Sequence, residues 1–86
     1  MFSWKQEDGR LWHENEKGEV LAEITWREKD HVWTIEHTFV DPSLRGGGVA
    51  GALMKEVALR AKAKHKKLVG ECSYAVAWLK KNPQEY

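Results

Sequence analysis

Asp41-Pro42-Ser43-Leu44-Arg45-Gly46-Gly47-Gly48-Val49-Ala50-Gly51 is the stretch on which the fold turns. Upstream of it the hydrophobic pattern repeats every second residue, and downstream it repeats as a helix does. Asp41-Pro42 ends the preceding strand, because proline has no amide hydrogen to give a ladder. Three successive glycines then strip side chains from the connection, so backbone amides can approach a ligand closely. Beyond them Val49, Ala50, Leu53, Met54, Val57, Ala58 and Ala61 recur at helical spacing, with Lys55, Glu56, Arg60, Lys62 and Lys64 opposite. The spacing predicts a helix from about Gly48 to Lys66. Its first amides and the positive end of its dipole make a ready phosphate site. A flexible glycine connector is the plainer alternative, but a linker has no need of Arg45 beside the glycines or of so abrupt a change of period.

Toward the N-terminus the chain alternates like strands cut by turns. Trp4 to Gln6 comes first, then Asp8-Gly9, a short hairpin signal, then Leu11 to His13. After a second turn, Asn15 to Gly18, Val20, Ala22, Ile24 and Trp26 fall on one face and Leu21, Glu23, Thr25 and Arg27 on the other. Lys29-Asp30 is the third turn. In the next strand Trp33, Ile35, His37 and Phe39 are expected on one face, with Val32, Thr34, Glu36, Thr38 and Val40 on the other. Four strands joined by short turns imply an antiparallel meander. After the helix, Leu68-Val69 seeds a fifth strand, parallel to the fourth across the helical crossover. Ser73 is the expected N-cap of a last helix, Tyr74 to about Lys81, with Pro83 just past its end. With no repeat, linker or low-complexity segment, residues 1–86 read as one α+β domain of layered order ββββαβα.

Composition narrows the class. The chain has 86 residues, 42% hydrophobic and 31% charged, which suits a globular fold. No apolar run approaches the roughly 20 residues of a membrane span, and Met1-Phe2-Ser3-Trp4-Lys5 is unlike a signal peptide. The single cysteine, Cys72, cannot form an internal disulfide, so a reducing, cytoplasmic setting is expected. One Cys and scattered His exclude a four-ligand zinc site, and no metal is expected. Net charge is only +1, but residues 1–43 carry five Lys/Arg against ten Asp/Glu, and residues 44–86 nine against three. The basic half suits a polyanionic ligand.

Three phosphate loops compete for Arg45 to Gly51. A Walker loop needs Gly-Lys followed by Ser or Thr, where this chain has Val49-Ala50. The dinucleotide fingerprint G-x-G-x-x-G is met by Gly46, Gly48 and Gly51, but it belongs on the first strand of a parallel βαβ unit, and here an antiparallel half precedes it. The third pattern, Arg-x-x-Gly-x-Ala, is filled from Arg45 to Ala50, and it resembles the pyrophosphate loop of the GNAT acetyltransferase superfamily. His37 to Gly46, then Gly48-Val49-Ala50 and Leu53, together with Leu68-Val69, Cys72-Ser73-Tyr74-Ala75 and Lys81-Asn82-Pro83, is similar to the small one-domain GNAT-like proteins.

That resemblance implies a GNAT-like fold that binds acetyl-coenzyme A in a slot where the fourth and fifth strands splay apart. Thr38, Phe39 and Val40 would line the pantetheine arm, and Arg45, Gly46, Gly47, Gly48, Val49 and Ala50 would receive the pyrophosphate. Acetyl transfer to an amine needs a base, a donor for the developing oxyanion and a route for the thiolate to leave. A strand amide near Phe39 or Val40 can be the donor. His37 is the histidine inside the slot strand, and imidazole suits proton exchange at neutral pH; a packed, hydrogen-bonded histidine is its bland reading, and Glu36 is the substitute base. Cys72, ahead of a helix N-terminus, reads as an acetyl-accepting nucleophile, as a neutral wall of the thioester pocket, or as a small buried residue. Tyr74 is a candidate acid for the departing sulfur or a packing residue.

Larger GNAT enzymes carry helices between their first two strands, where this chain has only a turn. The acceptor face is therefore expected to be open, or completed by a second subunit in a homodimer. Two functions follow: an N-acetyltransferase acting on an unidentified amine, or a non-catalytic module that binds coenzyme A or its acyl forms. A nucleic-acid binder using Lys62, Lys64, Lys66 and Lys67 is the weaker third, because no aromatic residues interleave with those lysines.

Overall fold

A computed structural model describes residues 3–84. Strands β1 (Lys5–Glu7), β2 (Arg10–Glu14), β3 (Val20–Lys29) and β4 (Val32–Val40) form the expected meander. A 3-10 turn, Pro42–Leu44, leads into helix α1 (Val49–Ala63), followed by β5 (Lys67–Gly70) and α2 (Ser73–Lys81). The sheet runs β1-β2-β3-β4-β5, with β5 parallel to β4 and the other pairs antiparallel.

Both helices lie on one face of the sheet. The core joins Leu11, Ala22, Ile24 and Ile35 of the strands to Leu53, Met54, Val57 and Ala61 of α1, and to Ala75 of α2. Each fully buried aliphatic side chain among them contributes about 1.5–3 kcal/mol by leaving water. Trp26 and Trp33 stack at a centroid distance of 5.0 Å across the β3–β4 pair, so two of the five tryptophans are core residues. Gly70 lets α2 sit close: a Cβ there would lie 2.7 Å from the Val76 amide nitrogen. The opposite face carries Trp12, Glu23, Thr25, Thr34, His37 and Phe39, and among the described residues neither helix covers it.

One irregularity decides how β4 presents its residues. Trp26 pairs with Ile35 and Thr25 with His37, so Glu36 is an extra residue, a β-bulge. The alternation therefore flips. Thr38 and Val40, paired with Ile24 and Ala22, face the helices; His37 and Phe39, paired with Thr25 and Glu23, face the open side. The unbroken alternation expected from the sequence holds only as far as Ile35.

Helix α1 also ends earlier than its charge pattern suggests. His65 adopts φ +58°, its amide donates to Lys62 O, and the Lys66 amide reaches back to Ala61 O at 2.8 Å. This is a Schellman stop with histidine in the left-handed position usually given to glycine. At α2 the cap is Cys72 rather than Ser73, which is the first helical residue.

Candidate active site

The last β4–β5 pair is Ile35 with Gly70, extended by one bond from the Glu71 amide to Ile35 O at 2.9 Å. Beyond it β4 continues to Val40, while the other chain turns away into α2. The edge of β4 from Glu36 to Val40 thus borders a V-shaped gap. Backbone groups point to alternate sides along a strand, and the Asp41 amide donates to Leu21 O of β3. Val40 and Thr38 therefore turn their N–H and C=O toward the gap, and Val40 O there accepts from Arg45 Nε at 3.3 Å.

The wide end of the gap meets the start of α1. Asp41 anchors the connection, its Oδ2 accepting from the Ser43 amide at 2.9 Å and the Ser43 hydroxyl at 2.6 Å. Those hydrogen bonds hold the Asp41 carboxyl below its ordinary value. Gly46 and Gly48 have φ of +85° and +77°, where other residues are strained, and a Cβ on either would meet nothing within 4 Å. Gly48 caps α1 without a side-chain bond, and no acidic residue stands in the first turn. The first backbone bond is Ala52 N to Gly48 O, so the amides of Val49, Ala50 and Gly51 have no intrahelical acceptor. With these N–H groups, the dipole and Arg45 beside them, the start of α1 is open to an anion.

At the narrow end, Cys72 Sγ lies 3.6 Å from Thr38 Oγ1 and accepts the Ala75 amide at 3.4 Å. Tyr74 leans across from α2, its hydroxyl 3.6 Å from where a Cβ of Gly51 would be. Burial pushes the Tyr74 phenol up, so it keeps its proton. His37 is exposed on the open side of β4, across the strand from the Thr38–Cys72 contact. Glu36 is bound instead to Arg27 at 3.2 Å, and the same guanidinium grips Glu71 at 2.6 Å. That fork ties the bulge of β4 to the end of β5, at the vertex of the gap. The meetings of Thr38 with Cys72, Arg27 with Glu71 and Tyr74 with Gly51 join residues far apart in sequence and leave no mark in any local pattern.

A family model described as GCN5-related N-acetyl-transferase matches residues 10–86. The chain belongs to the GCN5-related N-acetyltransferase family. The NMR structure of a GCN5-like protein from Staphylococcus aureus is 32% identical, with a TM-score of 0.79 over 93% of this chain and 79% of that one. An acetyltransferase from Bacillus cereus is 25% identical, with a TM-score of 0.70 over 87% of this chain and 55% of the other. A Clostridium acetobutylicum structure with acetyl-CoA shares the fold at 16% identity, with a TM-score of 0.64 over 90% of this chain and 57% of the other. This GNAT chain therefore spans little more than half the length of the latter two. Among curated proteins none matches it.

Arg45 to Ala50 open α1 next to the free β4 edge that Thr38 to Val40 form. The lysine run is partly engaged within the fold, Lys66 with Glu28 and Lys64 above the ring of Trp33. No helix among the described residues is long and apolar enough to cross a membrane.

Proposed function

We propose that this protein transfers the acetyl group of acetyl-coenzyme A to an amine, in a cytoplasmic setting where Cys72 stays reduced. The observation that supports it most is the junction of an unpaired β4 edge with an uncapped, carboxylate-free helix start. Thr38, Phe39 and Val40 line the pantetheine arm, and Thr38 and Val40 offer backbone groups to it as an added strand would. The segment Arg45 to Ala50 takes the diphosphate through its amides, with Arg45 supplying charge.

Acetyl-coenzyme A brings an activated thioester carbonyl. The chain's part is to hold that carbonyl beside slot-facing N–H groups, which stabilise charge as it develops on oxygen. Cys72 and Thr38 wall the narrow end, where Cys72 accepts the acetyl group: its sulfur bonds to the carbonyl carbon as the C–S bond to coenzyme A breaks, and its thiol proton passes to the departing coenzyme A sulfur. The amine arrives from the open side, and its proton goes to His37 as the new C–N bond forms and the Cys72 sulfur leaves as thiolate. Tyr74, protonated and next to the first turn of α1, can relay that proton, giving its own to the departing coenzyme A thiolate and taking the Cys72 proton in its place.

A second reading, an acyl-coenzyme A binder without turnover, is favoured by one observation: among the described residues neither helix covers the open face of the sheet. A screen of amines for acceptor-dependent release of coenzyme A thiol separates the two. Release supports the transferase; binding without release under any acceptor supports the module.

A further inference from the structure

Between the C-terminal halves of α1 and α2 lies an open groove of 220 Å³. Ala58 and Leu68 form its floor, Trp78 and Leu79 its wall, and Leu59 stands at its lip, 54% exposed. Lys55 and Lys62 line it on either side of Leu59, seven residues apart and so about 10.5 Å along the helix. Neither lysine makes an ion pair among the described residues, whereas Arg60 is held by Glu56 and Lys66 by Glu28. Among the described residues no carboxylate lines the groove. Leu59 lies about 16 Å along α1 from Gly48, so this groove is separate from the slot of the proposed reaction.

We propose that the groove docks an acidic amphipathic segment of a partner protein, apolar side chains entering between the helices and carboxylates pairing with Lys55 and Lys62. Charge and size select this occupant. Cavities that enclose a small-molecule ligand usually measure about 300–1,000 Å³, and 220 Å³ suits the apolar anchors of a peptide instead. A second copy packed through the same face about a two-fold axis would set lysines against lysines, which opposes association. A helix laid in a groove presents anchors at three-, four- and seven-residue spacing, and the last of these matches the separation of the two lysines.

The test uses a helix-forming peptide with two leucines four residues apart and two glutamates seven apart, titrated into isotope-labelled protein. The controls are the same peptide with lysine at both glutamate positions, and decanoate. The acidic peptide is expected to shift the amides of Ala58, Leu59 and Leu68 and the Trp78 indole saturably, while the basic peptide does not. In the double variant Lys55→Glu/Lys62→Glu the acidic peptide should bind about tenfold more weakly or worse, and the basic one should gain. Both positions are exposed, so the variant should keep its fold. The proposal is overturned if both peptides bind alike, if no saturable shift occurs at about millimolar peptide, or if decanoate alone fills the groove. It is equally overturned if the same signals move on concentrating the protein without peptide, which would make the occupant a second copy.

Discussion

Thr38 Oγ1 and Cys72 Sγ, 34 positions apart in the chain, lie 3.6 Å from each other where β4 and β5 part. The contact exists because the bulge at Glu36 turns Thr38 toward the helices, and because Cys72 caps α2 with its sulfur accepting the Ala75 amide. Cys72→Ala is expected to bind acetyl-coenzyme A but lose transfer, with no acetyl adduct visible by intact-mass spectrometry. Cys72→Ser keeps a capping acceptor and should hold the thermal midpoint better than the alanine variant. Full transfer by Cys72→Ala would remove the cysteine from the chemistry.

Gly48→Val tests the phosphate loop. The added side chain has room, but φ of +77° in a non-glycine residue costs about 1–2 kcal/mol. Relief comes from rotating the backbone, which re-aims the amides opening α1. The expected result is a loss of acetyl-coenzyme A affinity of about tenfold or more, with a thermal midpoint lowered by about 4–8 °C per kcal/mol.

His37 stands exposed on the open side of β4, so replacing it creates no cavity. His37→Ala should leave the thermal midpoint within a degree or two of wild type, while lowering the rate and removing the limb of the pH–rate profile due to the base. An unchanged profile would make the histidine a bystander.

The acid behaviour follows from Asp41, Glu28 and Glu71. Their carboxyls are held down respectively by Ser43, by Lys66 with Trp33, and by Arg27. Each folded value lies below its unfolded counterpart near 3.9–4.3. Their stabilisation is therefore whole above about pH 5 and is lost as pH falls through the folded values. Thermal midpoints should stay level from neutral pH to about pH 5 and drop below about pH 4. The Ser43 amide resonance should move with the Asp41 titration, and Asp41→Ala should abolish that step.

The meander, the long helix, the fifth strand and the glycine-rich loop between β4 and α1 are legible in the sequence because each rests on a local signal: period, turn residues or glycine. The β4 bulge is not, since Trp33, Ile35, His37 and Phe39 alternate without a break and the insertion shows only in the pairing with Thr25 and Trp26. The end of α1 is hidden for a similar reason, because His65 occupies a left-handed stop without glycine. For the candidate site, the loop can be read directly, but the sides of the strand taken by His37 and Thr38 depend on that bulge. The Arg27 fork and the place of Tyr74 beside Gly51 need the folded chain.

A calorimetric titration of acetyl-coenzyme A into wild type and Gly48→Val bears most directly on the claim that the opening of α1 and the free edge of β4 form a thioester-cofactor site. Saturable one-to-one binding by wild type, weakened severely by the substitution, is the predicted result. No heat at about millimolar ligand, or equal binding by both proteins, would contradict it.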